Sequence, residues 1–380
     1  MKRKRVALIG CTGSIGRQAA KVILRHPDRF EVSVLAANSN FDLLAEQAAA
    51  LRPFRAVLRQ ERPYPVFPGV CSFACGEEAF REACADSGTD IVLNAVTGFA
   101  GLAATLCAVE AGRDVALANK ESLVCGGGLV MRTAREKGVR ILPVDSEHSA
   151  VWQALHFDCD APFRKILLTA SGGALRDVPL NDLRFVTAAQ ALRHPNWRMG
   201  DKITIDCATM LNKGFEVIEA MHLFHAAPEQ IEVLIHRESI VHSLVELEDG
   251  AVIGQLGVPS MELPIQLALT WPERTETGLP RLDLIKAGTL HFEKVDEERY
   301  PCFRLAVRCA EKGGIYPAVL NAAGEVAVRA FLEGKIGYTM IAEVIEDVLS
   351  GQPASGADSY AEIAEADLLA REKARKLCLM

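Results

Sequence analysis

Seven residues near the amino end, Gly10-Cys11-Thr12-Gly13-Ser14-Ile15-Gly16, constrain this chain more than any other segment. They follow the apolar run Val6 to Ile9 and lead into Ile15 to Leu24, where apolar residues recur at three- and four-residue spacing. A strand, a glycine turn and a helix in that order set free amides and the positive helix end where a dinucleotide pyrophosphate would lie. The spacing is GxxGxxG, a loose match to GxGxxG, and glycines also serve plain strand-to-helix turns. The context beyond the turn favours the cofactor reading.

That context is an alternation of strand-like and helix-like runs. Strands are expected at Glu31 to Ala36, Ala56 to Arg59, Ile91 to Val96, Val115 to Ala118 and Arg140 to Val144. Helices are expected at Phe41 to Leu51, Glu77 to Cys84, Leu102 to Glu110 and Leu123 to Lys137. Such alternation predicts a Rossmann-like, doubly wound parallel sheet over residues 1–148. A second α/β domain is expected over 149–271. Its strands would be Lys165 to Thr169, Lys202 to Ile205, Ile231 to Ile235 and a hairpin, Ile240 to Glu246 with Val252 to Leu256, turned at Asp249-Gly250. Its helices would be Thr187 to Leu192, Asn212 to His222 and Met261 to Leu269. Residues 272–300 read as a linker, and 301–380 as a C-terminal α-helical bundle. The length of 380 residues and a hydrophobic fraction of 49% suffice for these cores.

The charge balance, 42 basic against 49 acidic residues, gives a net charge of -7 and no basic face for a nucleic-acid backbone. The apolar run behind MKRKR is too short for an export signal, and no stretch reaches the roughly 18 apolar residues of a membrane helix. The eleven cysteines form no CxxC pair, which suits reduced thiols in a cytoplasmic protein. No nucleic-acid or membrane partner is expected.

Three polar clusters carry the chemistry. Asp145-Ser146-Glu147 closes a strand, so its carboxylates would project together beyond the sheet edge and suit Mg²⁺ or Mn²⁺, with Co²⁺ admitted. An Asx turn or a helix cap would explain the same residues. Asn119-Lys120-Glu121-Ser122 ends the preceding strand and opens on the same edge. Asn212-Lys213-Gly214-Phe215-Glu216 opens a helix, where Asn212 and Lys213 could bind phosphate and Glu216 complete a metal site; Asn212 could equally be a helix cap. His148 reads as structural. After the second strand, Ala37-Asn38-Ser39-Asn40 lacks the carboxylate that favours NAD, so NADPH is expected, by a modest margin because no basic residue stands there either.

With these residues the chain resembles the 1-deoxy-D-xylulose 5-phosphate reductoisomerase family. The resemblance rests on GCTGSIG, ANKES at Ala118 to Ser122, PVDSEHSA at Pro143 to Ala150 and TASGGA at Thr169 to Ala174. It extends through HPNWRMG at His194 to Gly200, DCATMLNKGFEVIEA at Asp206 to Ala220, QLGVPSMELPIQ at Gln255 to Gln266 and NAAGEVAV at Asn321 to Val328. It implies a homodimer that isomerises a ketose phosphate skeleton and reduces the product aldehyde with NADPH. It further implies Asp145, Glu147 and Glu216 as metal ligands, with Lys120 and Ser146 on substrate oxygens. Ser171, His194, Asn212 and Lys213 would hold the phosphate, while Gly10, Thr12, Gly13, Ser14, Ile15, Asn38, Ser39, Asn40, Asn119, Glu121 and Gly200 would adjoin the cofactor. Trp197, aromatic in the Pro195 to Gly200 loop, suits a lid over the substrate or packing between domains.

Three positions depart from that family's pattern: Cys207 stands for a phosphate-contacting serine, Asn38-Ser39 for a glycine-containing stretch, and Gly324 for an asparagine. Cys207 could also be a small core hydrophobe. A dehydrogenase of another sugar phosphate, without rearrangement, would share most of these features. A silent NADP-binding protein would have lost Lys120 or a metal carboxylate, and none is lost.

Overall fold

The computed structural model describes residues 3–62, 67, 71–197, 199–352 and 355–379. Arg198, within the expected lid loop, lies outside the described residues. Strand β1 (Lys4–Ile9) passes through the glycine turn into α1 (Ser14–Arg25), followed by β2 (Phe30–Ala37), α2 (Phe41–Leu51), β3 (Arg55–Leu58) and β4 (Ser72–Cys75). Then come α3 (Glu77–Cys84), β5 (Ile91–Asn94), α4 (Ala100–Glu110), β6 (Asp114–Leu117), α5 (Glu121–Lys137), β7 (Ile141–Pro143) and α6 (Ser146–Ala154). The first seven strands form one parallel sheet in the order β4-β3-β2-β1-β5-β6-β7. Val6 to Ile9 in β1 and Val34 to Ala37 in β2 are fully buried, as strands covered on both faces must be. The order reverses at β1, and right-handed crossovers on the two sides of a reversal carry their helices to opposite faces. Accordingly α1 packs with α2, and α3 with α4.

The chain continues with β8 (Lys165–Ala170), α7 (Ala188–Ala191), α8 (Asp201–Ala208), α9 (Leu211–Leu223), β9 (Ile231–Ile235), β10 (Val241–Glu246), β11 (Val252–Leu256) and α10 (Glu262–Thr270). It ends through α11 (Leu284–Ala287), β12 (Glu293–Lys294), α12 (Pro301–Lys312), α13 (Tyr316–Leu332), α14 (Met340–Ser350) and α15 (Tyr360–Leu377). A mixed sheet runs β11-β10-β8-β9-β12, with β8 and β9 parallel and the other pairs antiparallel. Helix α12 packs on α9 and α13, and α13 on α14 and α15.

Contacts divide the chain into two compact units. One holds the chain through Ser122, Val130–Ser149 and Ser260–Leu279; the other holds Leu123–Leu129, Ala150–Pro259 and the chain from Pro280. The C-terminal helices thus share a unit with the mixed sheet. Helix α10, expected in the second region, packs on the first: Lys4 donates to the Leu269 carbonyl at 2.7 Å, Arg25 pairs with Glu262 at 2.7 Å, and His26 meets Gln266 at 3.0 Å.

Several local expectations change. Lys202 to Ile205, expected as a strand, lies within α8. Its polar-apolar alternation covers only four residues, whereas burial of Thr204, Ile205 and Ala208 follows helical spacing and Lys202 reaches Asp206 one turn on at 2.7 Å. Ser146 and Glu147 form the first turn of α6 instead of extending the strand, with Asp145 just before them; a carboxylate is favoured at that helix end. Asn212 lies inside α9, whose cap position is Met210. The expected linker contains α11, capped by Asp283, and β12, which pairs with β9. Edge strand β4 is too short to show a period in sequence.

Candidate active site

The strand order reverses between β1 and β5, the place beyond the strand ends where open α/β sheets bind ligands, and there the glycine turn stands. Gly10 has φ +83, and a Cβ on it would lie 2.5 Å from the Ala95 carbonyl oxygen. A Cβ on Gly16 would lie 2.3 Å from the Gly10 oxygen, so α1 can begin this close to β1 only with glycine. No side chain caps α1 at Gly13 and no acidic residue occupies its first turn. Gly13 and Ser14 are exposed while Thr12 and Ile15 are half-buried, an open amide cradle that fits a pyrophosphate. Asn38, Ser39 and Asn40 are all exposed, but Asn40 Oδ1 accepts the Leu43 amide and so caps α2.

Strands β6 and β7 are parallel neighbours, so the segments after them share one edge. Asn119 is 2% exposed and its amide is committed internally: Nδ2 donates to the Val96 and Gly98 carbonyls at 2.9 and 3.0 Å and to Glu121 at 2.8 Å. Its Oδ1 accepts the Ser122 amide at 3.0 Å and the Ser122 hydroxyl. Asn119 and Glu121 therefore fix the backbone from which Lys120 projects. Lys120 Nζ lies 2.9 Å from Asp145 Oδ2, and His148 Nδ1 lies 3.5 Å from the same oxygen. Burial alone would raise the Asp145 carboxyl, but Lys120 and His148 outweigh it and hold it well below the usual carboxylate range. Ser146 Oγ donates to Glu147 Oε2 at 2.5 Å. This edge thus presents two oxygen-donor carboxylates, one kept ionised by a lysine, a donor set that suits a hard divalent cation.

The other unit carries the residues expected at the phosphate end. After β8, Ser171-Gly172-Gly173 turns sharply, with φ +79 and +72 at the glycines, and a Cβ on Gly173 would lie 2.5 Å from the Cys207 carbonyl oxygen. Cys207 is half-buried in the last turn of α8. His194 Nδ1 accepts the amides of Asn196 and Trp197 at 3.2 and 3.0 Å, which leaves the ring proton on Nε2, 2.9 Å from Ser171 Oγ. Ser171 Oγ thus accepts from His194 and from the Gly173 amide at 3.2 Å, and its own proton remains to be donated. Burial, with the charge of Arg176, pushes His194 down to about 4, so the ring is neutral near pH 7. Sequence reasoning missed Arg176, which donates to the Ser171 carbonyl at 2.6 Å; a single arginine in a loop has no spacing to mark it. The loop is further pinned by Asn196, whose Nδ2 reaches the Arg237 carbonyl at 2.6 Å and Ser239 Oγ at 2.8 Å, while the half-buried Trp197 ring lies 6.3 Å from that of His242. Gly200 precedes α8 and is exposed.

On α9, Glu216 is 1% exposed; its carboxylate accepts from Asn212 Nδ2 at 2.5 Å and pairs with Lys213 Nζ. The lysine beside this buried carboxylate offsets part of the cost of taking it out of water. Gly324 of α13 is explained by this helix: a Cβ there would come 2.8 Å from Leu211 Cδ2, leaving little room for an asparagine.

Three family models match the chain: 1-deoxy-D-xylulose 5-phosphate reductoisomerase over residues 6–127, the C-terminal domain of that enzyme over 141–224, and the DXP reductoisomerase C-terminal domain over 256–373. The 1-deoxy-D-xylulose 5-phosphate reductoisomerase of Chlorobaculum tepidum is 47% identical over 98% of this chain and 99% of its own length. That of Gloeobacter violaceus is 46% identical over 98% and 97%. Among solved structures, the Zymomonas mobilis enzyme in complex with NADPH is similar with a TM-score of 0.93 and 42% identity over 99% of both chains. A reductoisomerase complex with NADPH, fosmidomycin and magnesium gives 0.91 and 37% over 99% of this chain and 98% of its own.

Proposed function

The chain belongs to the 1-deoxy-D-xylulose 5-phosphate reductoisomerase family, and on that footing we propose how its residues divide the work of the reaction. The protein is an NADPH- and divalent-metal-dependent oxidoreductase of isoprenoid precursor synthesis. It converts 1-deoxy-D-xylulose 5-phosphate to 2-C-methyl-D-erythritol 4-phosphate. The observation that carries the assignment of residues is the ionised Asp145 beside Lys120, with Glu147 two residues on, at adjacent strand ends of the nucleotide-binding sheet.

Asp145, Glu147 and Glu216 are the metal ligands. When bound, the cation supplies Lewis-acid stabilisation of charge on the substrate's carbonyl and hydroxyl oxygens, and NADPH supplies the hydride. Lys120 Nζ contributes a positive charge and donors to the same oxygens, and Ser146 adjoins them. Ser171, oriented by His194 Nε2 at the same end of the site, binds the substrate phosphate through its outward hydroxyl proton together with Asn212 and Lys213. Cys207 lines the same end, and Arg176 adds positive charge there. Because His194 is neutral, it orients Ser171 without drawing the phosphate away from the lysine. Trp197 covers the substrate and excludes water. The glycine turn, Thr12 to Ile15, cradles the pyrophosphate, and Asn38 and Ser39 adjoin the ribose. Asn119 and Glu121 position that edge, and Gly200 adjoins the nicotinamide end.

The residues divide into an NADPH-binding domain (1–148), a catalytic and dimerisation domain (149–271), a linker (272–300) and a C-terminal helical domain (301–380). The working state is a cytoplasmic homodimer. Edge strand β11, with Val252 and Leu256 exposed, supports self-association. No described helix is long and apolar enough to cross a membrane.

The reading is tested by following NADPH oxidation with 1-deoxy-D-xylulose 5-phosphate, with and without a chelator, and identifying the product by NMR. Metal-dependent formation of the branched tetrol phosphate is expected. Reduction without skeletal rearrangement, or full rates in chelator, overturns it.

A further inference from the structure

We propose that Arg62, carried just beyond β3, recognises the 2′-phosphate of NADPH in this chain, an inference that rests on the cofactor assignment above. The ribose-side segment Asn38-Ser39-Asn40 is exposed and uncharged. It cannot neutralise a phosphate, so the charge must come from elsewhere along that sheet edge. Strands β2 and β3 are parallel, with Ala37 opposite Leu58. The pairing continues past both strand ends, because the Arg59 amide donates to the Ala37 carbonyl and the Gln60 amide to the Asn38 carbonyl, each at 2.8 Å. Side chains that follow β3 are thereby delivered beside the ribose-side segment.

Two arginines arrive this way, and they differ in availability. Arg59 is clamped on Glu77 by two bonds of 2.6 and 3.1 Å, so its charge is already compensated. Arg62 has no carboxylate within ion-pair distance among the described residues. Its guanidinium lies 4.2 Å from the ring centroid of Phe41, the residue directly after Asn40. Phe41 is itself held edge-on against Phe67 and Phe73, at 5.6 and 5.8 Å. The Arg62 carbonyl accepts the Cys75 thiol at 3.9 Å, tying the residue's backbone to β4. A guanidinium resting on an aromatic face keeps its rim of N–H donors outward, in the planar fork that matches a phosphate. An exposed arginine, preorganised by an aromatic platform and uncompensated by any described acid, is what a 2′-phosphate site requires and what NADH would not use.

The test is equilibrium binding of NADPH and of NADH to the full-length protein, read by fluorescence, for wild type, R62Q and R62K. Wild type should bind NADPH more tightly than NADH. R62Q should lose roughly tenfold in NADPH affinity, the scale of a charge-assisted phosphate contact, with NADH affinity changed less than about twofold. R62K should fall between, because it keeps the charge and loses the fork. An unchanged NADPH-to-NADH ratio in R62Q overturns the role of Arg62. Equal losses for both cofactors also overturn it, since they mark the shared adenosine or the fold. Wild type binding both cofactors equally would instead sink the cofactor assignment beneath it.

Discussion

His194 shows how a single residue's environment sets its job. Two backbone amides occupy Nδ1 and Ser171 occupies Nε2, so protonation would break an existing bond as well as place charge near Arg176. Its folded value of about 4 lies below the ordinary histidine value, so the unfolded chain takes up the proton first as pH falls. The neutral ring's contribution to stability is therefore complete above about pH 6.5 and declines as pH drops from there toward 4. An NMR titration of the His194 ring should show no protonation down to about pH 5. A midpoint near 6.5 would contradict both the tautomer and the proposed role of Ser171. Cys207, half-buried beside the same turn, is the second residue with a measurable consequence. A thiol donates weakly, so Cys207→Ser should gain on the order of 1 kcal/mol, about fivefold, in binding the sugar phosphate. The KM for NADPH should not move. A serine variant that loses stability and gains no affinity would show that the side chain belongs to the core.

At the scale of elements, the proposed phosphate end depends on one crossing, the Ser171-to-Gly173 turn lying on the end of α8. Gly173→Ala would put a Cβ within 2.5 Å of a carbonyl oxygen at φ +72, two penalties that together should cost roughly 2 to 4 kcal/mol. Thermal unfolding should detect the loss, and KM for the sugar phosphate should rise as Ser171 shifts. An unperturbed variant would mean the turn can relax and does not fix Ser171. Much of this layout was legible in the sequence, since strands buried on both faces write continuous apolar runs, as Val6 to Ile9 of β1, Val34 to Ala37 of β2 and Ile91 to Leu93 of β5 do. Helix α3 was bounded by sequence alone because its buried Phe80, Ala83 and Cys84 keep helical spacing. Helix α8 was not, because Lys202 to Ile205 alternate over too few residues and the deciding contacts come from tertiary packing. The polar clusters after β6 and β7 were visible as motifs. Their internal bonding was not: Asn119, expected beside the cofactor, also holds the Lys120 segment through its amide. Arg176 and Arg62 carried no local signal, because each acquires meaning only from strand register or from a turn that brings it back.

For the whole molecule, the proposed cofactor cradle, Asp145 and Glu147 lie in one unit, while Glu216 and the proposed phosphate residues lie in the other. Binding of NADPH and binding of the metal should therefore be separable by mutation. The glycine turn contains none of Asp145, Glu147 or Glu216, and none of these carboxylates caps α1. The most direct test of that claim is Mn²⁺ binding, followed by electron paramagnetic resonance, alongside NADPH binding in wild type, Glu147→Gln and Glu216→Gln. Each variant should lose most of its Mn²⁺ affinity and nearly all turnover while binding NADPH as wild type does. Mn²⁺ bound as tightly by Glu216→Gln as by wild type, with turnover intact, would contradict the assignment of the metal site.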